Sequence, residues 1–164
     1  MRTIRHTTTD DIPTLLALAE AGRATMRKTG NMEQWINGYP SLADFEDDIK
    51  REIGYIIEED GKPVAMFAFM PSPEPTYLKI YQGAWLNDEP YHVVHRLASL
   101  PNVKGIFDTV MEFAEPQTGN IRIDTHRDNV IMRHLMERHG FVYCGIVYMM
   151  NGDERVAYHK VIKQ

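Results

Sequence analysis

The chain has 164 residues, 43% hydrophobic and 25% charged, the balance of an ordinary globular protein with one domain over 1–164. Its net charge of −5, with 23 acids against 18 bases and no basic run, argues against nucleic acid as the main partner, because phosphate neutralisation needs clustered positive charge. No apolar run approaches the roughly 20 residues of a membrane span, and "MRTIRHTTTD" carries no signal-peptide segment, so a cytoplasmic protein with no membrane partner is expected.

"RTIRHT" alternates as a first strand, and Thr9 or Asp10 can cap the helix that follows. Ile12, Leu15, Leu16 and Ala19 fall on one stripe of that helix, which fades near Gly30. After the connection "NMEQWINGYP", Ser41 caps a second helix, "SLADFEDDIKREI". "GYIIEEDGKPVAMFAFM" reads as a hairpin about Asp60-Gly61, and its apolar second arm, Val64 to Met70, as a central strand. "PSPEP" is a loop, "TYLKIY" a short strand and "YHVVHRLASL" a stronger one. Ile106, Val110, Phe113 and Ala114 mark a third helix, and "NIRID" a further strand. Asn129 can cap a fourth helix that Gly140 ends, with Phe141 closing it. "FVYCGIVYMM", "NGDE" and "RVAYHKVI" form a closing hairpin. Its lone Cys144 excludes an internal disulfide and reads as a small core residue.

Seven histidines raise the question of a metal. His92 and His95 point to opposite faces of a strand, and His134 and His139 do not converge on a helix, so no metal site is expected. "HRDN" lacks the asparagine spacing of a kinase loop, and GxSxG, Walker and GxGxxG motifs are absent. What remains is "ASLPNVKGIF": a strand, a short loop with Lys104-Gly105, then a helix. A helix N-terminus offers unpaired N–H groups and the positive end of its dipole, which suits phosphate.

"HRLASLPNVKGIFDTVMEFA", with "IRIDTHRDNVIMRHLMERHGFVYCGIVY" after it, resembles the GNAT superfamily of N-acetyltransferases. The strand ending Leu97-Ala98-Ser99, the loop that opens a helix, and the run from Asn129 to Gly140-Phe141 carry the likeness. The resemblance implies an α/β fold with a mixed, mostly antiparallel sheet flanked by about four helices. It implies acetyl-CoA as donor, with no metal, and direct transfer to an amine of a small molecule or an exposed peptide amino group. The pyrophosphate would lie on Lys104, Gly105 and Ile106, and the pantetheine along Leu97, Ala98 and Ser99, with Arg133 near the phosphates and Asn102, Phe107 and Asn129 also counted as cofactor-binding positions. Three positions depart from the family pattern: Asn102 replaces an Arg or Gln, Phe107 a small residue, and Met136 the tyrosine that protonates the leaving thiolate. His95 is the first candidate proton acceptor, on an ordinary imidazole pKa of roughly 6.5, and Glu89 the second. Trp35, Tyr39 and Tyr91 are expected at the acceptor mouth. The rival reading is a catalytically weak acyl-CoA-binding or regulatory protein on the same fold. Dimers are common in the family, and a homodimer stays open.

Overall fold

The computed structural model describes residues 1–163. Strand β1 (Arg2–His6) leads into helices α1 (Ile12–Lys28) and α2 (Leu42–Lys50). Strands β2 (Gly54–Glu59), β3 (Lys62–Pro71) and β4 (His92–Ser99) follow, then α3 (Ile106–Ala114), β5 (Asn120–Thr125), α4 (Val130–Arg138), β6 (Val142–Tyr148) and β7 (Glu154–Val161). The strands form one seven-stranded sheet in the order β1-β2-β3-β4-β5-β7-β6. Every pairing is antiparallel except β4 with β5. This is the mixed, mostly antiparallel sheet with four helices that the sequence led us to expect.

Local chemistry explains the element ends. The start of α1 differs from expectation: the Thr8 N–H donates to Asp11 Oδ2 at 2.8 Å, so Thr8 and Asp11, rather than Thr9 or Asp10, close the entry. Asp11 also takes two bonds from Arg5, which tie β1 to that corner. Ser41 and Asp44 form a capping box at α2, with the Ser41 N–H donating to Asp44 Oδ2 at 2.7 Å. Asp60 and Gly61 both have positive φ, 51° and 81°, as a tight turn between β2 and β3 requires. At the end of α4, Gly140 has φ 85° and the Phe141 N–H donates to the Met136 carbonyl at 2.9 Å.

One expected strand is absent. "TYLKIY" folds as a single helical turn at Pro75–Tyr77, and only Tyr81 bridges a strand residue, Ile146. Pro73 and Pro75 just before it have no N–H, and the Glu74 N–H between them is taken by Tyr91 Oη, so no ladder donor is left there. The loop is instead held from inside. Trp85 Nε1 donates to the Tyr77 carbonyl at 3.0 Å, and Arg122 lies between the rings of Trp85 and Tyr91 at 4.3 and 4.0 Å.

The core lies on both sheet faces. One cluster packs α3 and α4 against the sheet through Phe67, Val110, Ile121, Ile123 and Met136; another packs α1 and α2 through Leu15, Leu18, Phe45 and Ile56. Gly22 sets the second contact, because a Cβ there would stand 2.9 Å from Ala98 Cβ and 3.1 Å from the Trp35 ring.

Candidate active site

The site begins as a fault in the sheet. β4 and β5 pair only at His92–Ile121 and Val93–Arg122, and beyond that the two strands separate. On the other side of β4, Ala68 pairs with His95 and Met66 with Ala98, so Arg96 and Leu97 together oppose Phe67. This is a β-bulge, which bends a strand and increases its twist. Arg96 takes φ 50° there, a left-handed conformation that costs a non-glycine residue of order 1 kcal/mol. Its guanidinium holds the conformation in place with two bonds to the buried Asp48, at 2.7 and 2.5 Å, and one to Tyr39 Oη at 2.9 Å. The bulge thus opens the fork and fixes α2 beside it.

Two clefts occupy the fork. The first, about 810 Å³, runs between the end of β4, the start of α3, and the facing sides of α1 and α4. α3 begins at Gly105 with φ 73°, and no side chain caps its first amides. A Cβ at Gly105 would stand in ordinary contact with Arg2 Nη1 at 3.5 Å and Asp108 Oδ2 at 3.7 Å, and both Gly105 and Asp108 line the cleft. Arg2 secures the loop from behind, bonding Glu59 at 2.8 Å, Thr109 at 3.0 Å and the Lys104 carbonyl. Phe107 does not crowd the cleft. Its ring is buried, edge-on to His139 at 4.9 Å and against Phe141 at 6.1 Å, so only its backbone faces the helix start.

The second cleft, about 530 Å³, lies on the other side of the fork. Trp35, Tyr39, His95, Asp124 and Met149 contribute to its walls, and Leu97, Asn129, Met26 and Met132 belong to both clefts. Gln34 clasps the boundary: its Oε1 accepts from Asn31, Thr125, Asn129 and the His126 N–H at 2.9–3.3 Å. Asn129 also donates to Thr125 Oγ1 and accepts from the Met132 N–H, so the α4 cap forms part of the wall.

His95 is half-buried on this wall, its ring 6.3 Å from that of Tyr77, while His92 lies on the opposite face stacked on Phe69. Burial, aided by the charges of Arg96 and Arg51, lowers the His95 pKa to about 3. The expectation of a group titrating near neutrality is therefore corrected: this imidazole is neutral and weakly basic. Asp124 is half-buried nearby and accepts from Tyr77 Oη at 2.6 Å. Burial raises its pKa, against the pull of Tyr77 and Arg155. Tyr77 is fully buried and stays a neutral donor, its own pKa pushed far up by the same desolvation.

The predicted residues divide accordingly. Leu97, Ala98, Ser99, Lys104, Gly105, Ile106, Phe107 and Asn129 come together in the first cleft, and His95, Trp35 and Tyr39 in the second. Four fall outside. Glu89 is exposed in the loop before β4, roughly 25 Å of extended chain from Leu97. Tyr91 is buried against Arg122, with its hydroxyl accepting from the Glu74 N–H. Arg133 points to Tyr158 Oη and the Arg127 carbonyl, and Asn102 sits in an exposed turn with φ 66°. The α4 arginine that reaches the first cleft is Arg138. Sequence reasoning missed it, together with Thr25 of α1 and Thr29 at that helix's C-terminal cap, which line the same cleft. Its signal was present: Arg138 follows Leu135 by three residues, and both lie on the helix face turned to the cleft. Met136 is fully buried in the core. Among the described residues, no group of three or more His, Cys, Asp or Glu is placed to hold a metal, and no helix is long and apolar enough to cross a membrane.

No family model matches the chain, and neither does any curated protein sequence. Solved structures do match. A GNAT-family acetyltransferase from Streptococcus agalactiae 2603 is 32% identical, with a TM-score of 0.88 over 99% of this chain and 96% of that one. A putative acetyltransferase from Staphylococcus aureus Mu50 shares the fold at 24% identity, with a TM-score of 0.71 over 98% and 99%. The ribosomal-protein-S18-alanine N-acetyltransferase of Escherichia coli shares it at 15% identity, with a TM-score of 0.64 over 100% and 96%. The fold is thus a known one, and the chain is a member of the GNAT family of acetyltransferases.

Proposed function

We propose that the protein transfers an acetyl group from acetyl-CoA directly to a primary amine that enters from the second cleft. The observation that carries this reading is the junction of the two clefts at Leu97, Asn129 and Met132, where a donor lying in one would meet an acceptor lying in the other. The first cleft fits the donor chemically. Its uncapped helix start suits a pyrophosphate, Lys104 and Arg138 supply cations, and the edge of β4 beyond Val93, unpaired toward β5, suits an amide-bearing chain. Bound there, acetyl-CoA supplies a thioester carbonyl to which the amine nitrogen bonds as the C–S bond breaks, CoA leaving as thiol and the ammonium's surplus proton passing to water.

The chain's own residues orient and exclude. The Phe107 ring stays in the core and leaves its N–H at the helix start. Gln34 and Asn129 hold the wall between the clefts. His95 offers a neutral imidazole as a hydrogen-bonding partner on the acceptor side. Trp35 and Tyr39 give that side an apolar and aromatic surface.

Amine-dependent release of thiol from acetyl-CoA, with the acetylated product identified by mass, tests the proposal. Replacing both Lys104 and Arg138 by Ala should raise KM for acetyl-CoA roughly tenfold with kcat little changed, because these charges act on binding. Met136, which stands where the family pattern has its tyrosine acid, is buried in the core and lines neither cleft, and the lack of that acid favours the binding-only alternative. Acetyl-CoA binding without thiol release across a broad amine panel would select that alternative.

A further inference from the structure

The second cleft contains a carboxylate in an unusual setting. Asp124 lies on β5 where that strand parts from β4, half-buried and facing the cavity. Tyr77 Oη donates to its Oδ2 at 2.6 Å. Among the described residues no hydrogen bond reaches Oδ1, and no cation lies within ion-pair distance. Of the cations on the same walls, Arg96 pairs with Asp48 and Arg51 with Asp47, while Arg155 bonds the Glu154 carbonyl and acts on Asp124 only from beyond ion-pair distance. Glu74 and Asp153, also on these walls, add negative rather than positive charge. A carboxylate removed from water normally has a charged partner, because burying the ion alone is costly.

The surroundings fix this group in position. Tyr77 is 1% exposed, and its ring packs against Trp85 at 5.1 Å and Tyr91 at 6.2 Å, so the hydroxyl that holds Oδ2 cannot swing away. Oδ1 is left toward a cavity of mixed lining in which Trp35, Tyr39, Met70 and Met149 supply the apolar and aromatic part. The complementary ligand has a cationic nitrogen on an apolar body, since the ion pair and the ring faces both favour an ammonium.

We propose that Asp124, held by Tyr77, is the anchor of the acceptor site and selects a small molecule carrying an ammonium group on an apolar or aromatic body. This rests on the second cleft being the acceptor side of the transferase. It assigns Asp124 recognition of the acceptor and leaves the cofactor cleft to other residues.

The test compares 2-phenylethylamine with its neutral counterpart 2-phenylethanol, each titrated by protein-observed NMR into the full chain with and without saturating CoA. The amine should bind at least tenfold more tightly than the alcohol and perturb residues around Asp124. Asp124→Asn, whose amide oxygen can still accept from Tyr77, should abolish that preference and leave the Kd for acetyl-CoA unchanged. Tyr77→Phe keeps the carboxylate and should keep a preference for the amine. Equal binding of the two probes, no amine binding at tens of millimolar, or a preference that survives Asp124→Asn would each overturn the proposal. Because the titration without CoA needs no cofactor, its outcome stands apart from failure of acetyl-CoA to bind, which would count against the transferase reading alone.

Discussion

At the scale of single residues, the environment of a side chain decides its chemistry more than its identity does. His95 occupies the acceptor wall, as its place on the strand suggested, yet burial beside Arg96 and Arg51 takes its pKa to about 3. A base that weak does not hold a proton taken from an ammonium at neutral pH. The pH profile of kcat/KM should therefore show no inflection near 6.5 attributable to His95, and His95→Gln should lower turnover by less than roughly tenfold. An inflection near 6.5 that disappears in His95→Gln would show that the imidazole titrates. Glu89 failed as a candidate for a different reason. Being at the start of the strand in sequence placed it at the opposite end of β4 from the cleft. Arg133 and Arg138 show the same effect on a helix, where a shift of five residues is nearly half a turn and exchanges one face for another.

Among elements, the bulge in β4 is the feature on which the site depends. It needs Arg96 in a left-handed conformation and an ion pair with Asp48, which is only 4% exposed. Removing the guanidinium would leave that carboxylate buried without its partner. Arg96→Ala is predicted to cost about 3–5 kcal/mol in urea unfolding. Removing both partners together should cost clearly less than the sum of the single changes, because neither charge then stays stranded. Full additivity would mean that the pair does not hold the bulge. No glycine or proline marks this bulge in the sequence, since an ion pair with Asp48 of the distant α2 supports the strained Arg96. Elements governed by local chemistry were legible: the Asp60-Gly61 turn, the Ser41 cap and the Gly140-Phe141 stop each follow from neighbouring residues. "TYLKIY" was not, because its conformation depends on Trp85 and Arg122 from elsewhere in the chain.

For the whole molecule, the legible part was the order of elements and the strand–loop–helix that lines the first cleft. The part that stayed hidden required knowing what crosses the fork: the α1 face, the Gln34 clasp, and the pairing of Tyr77 with Asp124. The same burial sets how the fold responds to acid. His159 is fully buried, accepts from the Leu86 N–H at its Nδ1 and meets Asn120 Oδ1 through Nε2, an arrangement that fixes a neutral tautomer. Burial, with the nearby Arg122, lowers its pKa to about 4. The unfolded chain binds this proton near pH 6.5 and the fold does not, so stability is present above that pH and is lost as pH falls toward 4. His95 acts in the same direction down to about 3, while the raised pKa of Asp124 opposes both by favouring its protonated form in the fold. The net expectation is a loss on the order of a few kcal/mol between pH 7 and 4. Urea midpoints over that range should fall, and His159→Gln should flatten the slope. An unchanged slope would show that His159 does not set it.

The most direct test of the central claim is calorimetric titration of the wild-type chain with acetyl-CoA, with adenosine, which has no phosphate, as the control. The account predicts saturable binding of acetyl-CoA in the micromolar range, none of adenosine at the same concentrations, and a weaker interaction when Lys104 and Arg138 are both replaced by Ala. No binding at millimolar acetyl-CoA would contradict it: the uncapped helix start at Gly105 would then be a turn between β4 and α3 and nothing more.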